Sequence, residues 1–284
     1  MNRIVYVNGE YLPEAEAKIS VFDRGFLFAD GIYEVTSVLN GQLIDNNGHL
    51  SRLNSSMSEL SLTPPATDEE IETIQKTLIE KNNLEEGLIY LQVTRGAADR
   101  AFYFPENTPT SLVMFSQALN VIDSPYAKKG MAIITVPDIR WGRRDIKTVQ
   151  LLAPSMAKMA AKTAGVDDAW LLEDRYITEG SSNNAYIITQ EGTIVTRHLG
   201  NEILAGITRK AIMKLAAEDN IKIEERSFSV EEAINAVEAF LSSATTFVTS
   251  VVSIDGHVIG DGKPGPIAMK LRKFYIDEAL ASIK

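Results

Sequence analysis

The 284-residue sequence contains no cysteine. That absence excludes disulfides, thiolate catalysis and cysteine-based metal centres together. Histidine is nearly as scarce: His49, His198 and His257 stand singly. They form no His-Glu-x-x-His or related ligand spacing, so no metal site is expected. A Ser-His-Asp triad would have to use one of these three, and no Gly-x-Ser-x-Gly elbow supports one. Positive charge is in deficit, with 28 Lys and Arg against 38 Asp and Glu and a formal charge of −10. Such a balance argues against nucleic acid or an anionic membrane as partner, because both need a basic face. No apolar run approaches the ~18 residues of a membrane span. The opening Met1-Asn2-Arg3-Ile4-Val5-Tyr6 lacks the apolar stretch of a signal peptide. A cytoplasmic protein is the expectation.

What is present is a hydrophobic content of 45%, ordinary for a chain with a real core. The length allows one large domain or two modest ones. In the first third, Ile4–Val7, Glu34–Leu39 and Gln42–Ile44 read as strands, with hairpin turns at Asn8-Gly9 and Asn40-Gly41. A helix is predicted from about residue 47 to 62, ending before Pro64-Pro65. A second starts near Thr67-Asp68-Glu69-Glu70, where early acids suit a helix N-terminus. Strands follow at Leu88–Arg95 and Ser111–Leu119. The pattern breaks between Asn120 and Gly130, which predicts a small N-terminal α+β domain over 1–120 and a larger domain of mixed β structure with helices over 121–284.

In the second part, Met131–Val136, Ala169–Leu172, Ala185–Ile188 and Thr193–Thr196 read as strands. Ser155–Ala164 and Thr208–Asp219 read as helices, the first closed by Gly165. A strand at Ile221–Glu225, a hairpin across Asp255-Gly256 and a terminal helix from about Pro264 complete the chain.

Several segments carry possible chemistry. Lys147, in Arg143-Arg144-Asp145-Ile146-Lys147-Thr148, offers an amine that can hold an aldehyde as a Schiff base. Thr178-Glu179-Gly180-Ser181-Ser182-Asn183-Asn184 offers a carboxylate and a polar turn. Gly206-Ile207-Thr208 leads into a helix, where free N–H groups and the helix dipole favour an anion; Thr208 serves equally as a cap or a phosphate ligand. Ser242-Ser243-Ala244-Thr245-Thr246 ends an apolar run and reads as a polar turn or one wall of an anion cup. Arg52 lies on the first predicted helix, where a lone arginine is ordinarily a surface residue. Gly260-Asp261-Gly262-Lys263-Pro264-Gly265 fits G-x-G-x-x-G, but no βαβ unit follows, so a plain turn is expected.

Asp30-Gly31-Ile32-Tyr33-Glu34, Arg52, Asp145-Ile146-Lys147, Thr178–Asn183 and Gly206-Ile207-Thr208-Arg209 occur in this order. Over nearly the whole chain, this set resembles the fold-type IV enzymes dependent on pyridoxal 5'-phosphate (PLP), and among them the bacterial D-amino-acid aminotransferases. The resemblance implies a two-domain fold-type IV architecture of mixed α+β and α/β character. It also implies a homodimer with active sites at the subunit interface. Lys147 would carry the Schiff base and shuttle a proton, and Glu179 would pair with the pyridinium nitrogen. Arg52, Gly206, Ile207, Thr208, Ser243, Ala244 and Thr245 would hold the phosphate. Leu204 would pack on the ring, and Tyr33 would lie near the substrate carboxylate.

Two departures from that family stand out. The family's phosphate threonine falls on Ala244, so a backbone N–H, Ser243 or Thr245 would substitute. Its Arg-x-His carboxylate grip falls on Arg100-Ala101-Phe102, and Phe102 cannot donate a hydrogen bond. Arg100 and Tyr33, or another arginine such as Arg24, Arg95 or Arg143, would then bind the carboxylate. The implied reaction is ping-pong transfer of an amino group from a D-amino acid to a 2-oxo acid acceptor. An (R)-selective amine transaminase or dual-specificity enzyme is the alternative suggested by Phe102. Further members are a branched-chain L-aminotransferase, separated by L-leucine as donor, and an aminodeoxychorismate lyase, which would eliminate pyruvate rather than transfer nitrogen.

Overall fold

The computed structural model describes residues 3–283; positions 1, 2 and 284 of the two expected domains lie outside the described residues. The chain forms two compact units. Residues 3–120 with Ile146–Gln150 and Ile283 make the first, and Val121–Asp145 with Leu151–Ser282 make the second. The short segment carrying Lys147 thus belongs to the first unit, although the expected boundary put it in the second.

The first unit contains β1 (Ile4–Val7), β2 (Glu10–Pro13), α1 (Arg24–Phe28), β3 (Gly31–Leu39), β4 (Gln42–Leu43), α2 (Asn46–Glu59), α3 (Asp68–Asn82), β5 (Gly87–Thr94) and β6 (Ser111–Ala118). The strands form one antiparallel sheet in the order β2-β1-β6-β5-β3-β4. Asn8-Gly9 and Asn40-Gly41 turn its two hairpins, with all four residues at positive φ as two-residue turns require. α3 begins in a capping box between Thr67 and Glu70 and buries Ile71, Ile74, Leu78 and Ile79. That spacing marks one helical face. α2 ends at Glu59, earlier than predicted, because Ser61 turns to a φ of 51°.

The second unit contains α4 (Pro125–Lys129), β7 (Met131–Pro137), α5 (Leu152–Thr163), β8 (Asp168–Glu173), β9 (Tyr176–Gly180), β10 (Asn184–Ile188), β11 (Ile194–Thr196), α6 (Ile207–Glu218), β12 (Ile223–Glu225), α7 (Val230–Ile234), β13 (Glu238–Ser243), β14 (Phe247–Ile254), β15 (His257–Val258) and α8 (Pro266–Ser282). Its mixed sheet runs β12-β11-β10-β13-β14-β7-β8-β9, with β15 paired to β14. Trp170, Phe228, Leu241 and Val251 lie in its core.

The Gly260–Gly265 segment is a turn into α8. There the Glu238 carboxylate accepts from Ile267 N and Ala268 N at 3.0 Å and occupies the helix N-terminus. Among the described residues no helix is long and apolar enough to cross a membrane, and no cluster of His, Asp and Glu could hold a metal ion.

Candidate active site

In the first unit, β3 alternates its side chains between two faces. Tyr33 lies on one and Glu34 on the other. Gly31 starts the strand where a Cβ would come within 2.8 Å of Val93 O. Lys147 reaches β3 through the main chain: Thr148 bridges Ile32, Tyr33 N donates to Lys147 O and Val149 N donates to Gly31 O. This places Lys147 Nζ 4.2 Å from the centroid of the Tyr33 ring. Tyr33 stacks on Tyr90 and Tyr90 on Phe115, giving a wall of rings across β3, β5 and β6. Burial, and then the nearby Tyr33, push the Tyr90 hydroxyl above its ordinary pKa.

On the opposite face of β3, the buried Glu34 accepts from Arg52 Nε and Nη2 at 2.7 Å each and meets His49 Nδ1 at 2.8 Å. Burial opposes its ionisation, but Arg52 and then His49 outweigh it and hold the pKa down at about 2. Arg52 is therefore not a loose surface arginine. Its guanidinium is fixed edge-on from within.

Of the four arginines considered for a substrate carboxylate, three are committed. Arg24 and Arg95 share Asp30 at 2.8 Å and also donate to backbone carbonyls. Arg143, in the second unit, pairs with both oxygens of Asp145. Arg100 alone makes no ion pair among the described residues. It is exposed and stands 5.5 Å from the Phe28 ring centroid and 5.6 Å from that of Phe102. Phe102 is 80% exposed and packs edge-on against Phe28.

In the second unit, Glu179 is not in a turn. It sits on β9, whose Tyr176-Ile177-Thr178 start has the aromatic and β-branched character of a strand and pairs with β8. Only 181–183 form the turn. The buried Asp168 holds it through Ser181 Oγ at 2.5 Å and Asn183 Nδ2 at 2.9 Å. Glu179 is buried and receives Arg140 Nη1 at 2.6 Å, Asn184 Nδ2 at 3.0 Å and Leu204 N at 3.2 Å. Burial pushes its carboxyl above the ordinary pKa, and Arg140 pulls against that shift.

α6 takes Gly206 as its N-cap and has no side-chain capping bond. Thr208 is buried inside the first turn, so it does not cap the helix. At Gly206 the requirement is space, since a Cβ would lie 2.1 Å from Asn184 Oδ1. The 244–246 segment turns β13 into β14, and the Ser243 hydroxyl meets those of Thr246 at 2.8 Å and Thr245 at 3.4 Å.

A model of the Amino-transferase class IV family matches residues 31–254. The D-alanine aminotransferase of Staphylococcus haemolyticus is 40% identical over 273 residues, covering 95% of this chain and 96% of the relative. That of Listeria monocytogenes serotype 4b is 36% identical over 276 residues, covering 96% and 95%. The chain belongs to the class IV aminotransferases. Solved structures agree in fold. The branched-chain aminotransferase of Escherichia coli gives a TM-score of 0.90 at 22% identity, covering 98% of this chain and 95% of that one. The branched-chain enzyme of T.th., solved with pyridoxamine 5'-phosphate, also gives 0.90, at 24%, with 99% and 95% covered.

For a class IV aminotransferase the donor set is chemically apt. A primary amine can take an aldehyde, a buried carboxylate can face a ring nitrogen, and an uncapped helix start with Thr208 in its first turn can take a phosphate. Tyr33 and Lys147 are together within the first unit. Glu179 and Leu204 are together within the second. Sequence reasoning missed Arg140, Asn184 and Tyr90. Tyr90 had a signal in the alternation of β5, and Asn184 closes the same polar segment as Glu179, five residues on. Arg140 had none, since its bond to Glu179 joins residues far apart in the chain.

Proposed function

We propose that this aminotransferase uses PLP to move an amino group from a D-amino acid to a 2-oxo acid such as 2-oxoglutarate or pyruvate. The observation that carries the reading is Glu179, a buried carboxylate oriented by three donors and suited to a cationic ring nitrogen. Bound PLP would supply an electron sink for the substrate's Cα. Lys147 Nζ would hold the cofactor at its aldehyde carbon, with loss of water, and would carry the Cα proton. Glu179 would pair with the ring nitrogen and hold a proton there. Arg52, Gly206, Ile207, Thr208, Ser243, the Ala244 backbone and Thr245 would hold the phosphate, and Leu204 would pack on the ring. Tyr33 and Arg100 would take the substrate carboxylate, and the transfer should show ping-pong kinetics. The enzyme acts as a homodimer.

Phe102 supports a second activity, because an apolar ring at the carboxylate end also suits (R)-amines. A donor panel of D-alanine, D-glutamate, L-leucine and (R)-1-phenylethylamine separates the readings. D-amino acids should be turned over, and Lys147→Ala should abolish transfer. Turnover of L-leucine alone would overturn the D-amino-acid assignment.

A further inference from the structure

Arg140 has a setting that its role as one donor to Glu179 does not explain. It follows β7 in the segment 138–140, where Asp138 N donates to Leu172 O at 2.7 Å. Asp138 grips the guanidinium edge-on, taking Nε at 2.9 Å on one oxygen and Nη2 at 2.7 Å on the other. Thr178 Oγ1 donates to Asp138 at 2.7 Å, and Arg144 Nη1 stands 3.6 Å from it. The remaining Arg140 nitrogen, Nη1, donates to Glu179 at 2.6 Å. Thr178 and Glu179 are neighbours on β9, so the four residues close a ring of hydrogen bonds and charges. The Asp138 and Glu179 side chains are almost wholly buried, and Arg140 is nearly so.

Removing charges from water is costly unless each is paired and oriented. Asp138 and Arg140 lie two residues apart, so their pairing by itself ties no distant elements together. What the pair does is present one fixed N–H to one oxygen of Glu179. Its formal charges cancel, which leaves the Glu179 negative charge to be met by a further cation.

We propose that Arg140, locked by Asp138 and Thr178, is a positioning residue that keeps Glu179 ionised and fixed for a cationic ring nitrogen; this rests on the reading of Glu179 above. Burial alone works against the ionised form, and Arg140 is the largest influence opposing it. Asp138 is itself held ionised, against burial, by Arg140, Thr178 and Arg144.

The test uses the PLP-loaded enzyme and reads two quantities besides turnover: the PLP dissociation constant and the pH midpoint of the visible absorption band. Arg140→Met should weaken PLP about tenfold, a size typical of losing the partner behind a ligating group, and should displace the midpoint. Arg140→Lys should restore most of both. Asp138→Asn with Arg140→Met removes the pair together, spares the fold an unpaired buried carboxylate, and should reproduce the Arg140→Met spectrum. In a Glu179→Gln background, Arg140→Met should add nothing. Unchanged PLP affinity and spectrum in folded Arg140→Met, or effects that add in the double variant, would overturn the proposal. If Glu179→Gln itself leaves both readouts unchanged, it is the assignment of Glu179 that fails.

Discussion

At the scale of single residues, identical side chains have been given unlike tasks by their partners. Arg24 and Arg95 are spent on Asp30, and Arg143 on Asp145, while Arg100 makes no ion pair among the described residues. Glu34 and Glu179 are both buried carboxylates, yet Glu34 is held down at about 2 and Glu179 is pushed up. The difference follows from the partners: Glu34 is bound by two nitrogens of Arg52 and one of His49, and Glu179 by one nitrogen of an arginine already shared with Asp138. A carboxylate with a depressed folded pKa stabilises the fold above its unfolded value and loses that contribution as pH falls. For Glu34 the window runs from 4.5 down to about 2. The contribution is about 3 kcal/mol. Glu34→Gln should lower stability at pH 7 by about that amount. The gap to wild type should close as urea titrations are repeated towards pH 2. A gap that stays constant with pH would refute the linkage.

At the scale of elements, local chemistry explains most boundaries. The Thr67–Glu70 box opens α3, and Asn83 closes it at a φ of 49°. Thr67→Ala removes the cap and should cost about 1 kcal/mol, read as a lower melting temperature with activity unchanged. Turns at Asn8-Gly9 and Asn40-Gly41 were legible for the same reason, since few residues accept positive φ. β9 was not legible. Thr178-Glu179-Gly180-Ser181 reads as polar loop, and only pairing with β8 and the grip of Asp168 on the following turn make it a strand end. The start of α6 was half legible: its place followed from Gly206, but the burial of Thr208 follows from the packing of α6 on its neighbours.

At the scale of the whole molecule, the first unit leaves Ile19, Val21, Phe22, Phe26, Phe102, Tyr103 and Phe104 exposed. The two segments are neighbours, for Ala98 N donates to Phe22 O and Arg24 N to Gly96 O. An apolar surface of this kind is ordinarily covered in solution, and the proposed homodimer would cover it with a second copy. Phe26→Glu should convert the dimer to monomers in sedimentation runs at matched concentration. Wild type sedimenting as a monomer would overturn the homodimer.

The sequence by itself determined the inventory of chemistry: no thiols, few imidazoles, an acidic surface, and ordered motifs around Lys147 and Glu179 that identify the family. It determined most helices and strands too, because caps, turns and side-chain periodicity act over a few residues. The tertiary structure decided which charged groups are buried, which arginines are already paired, and that Lys147 lies along β3 while Glu179 is oriented by Arg140, Asn184 and Leu204. Those outcomes depend on strand register and on electrostatics between residues far apart in the chain, which no local pattern encodes.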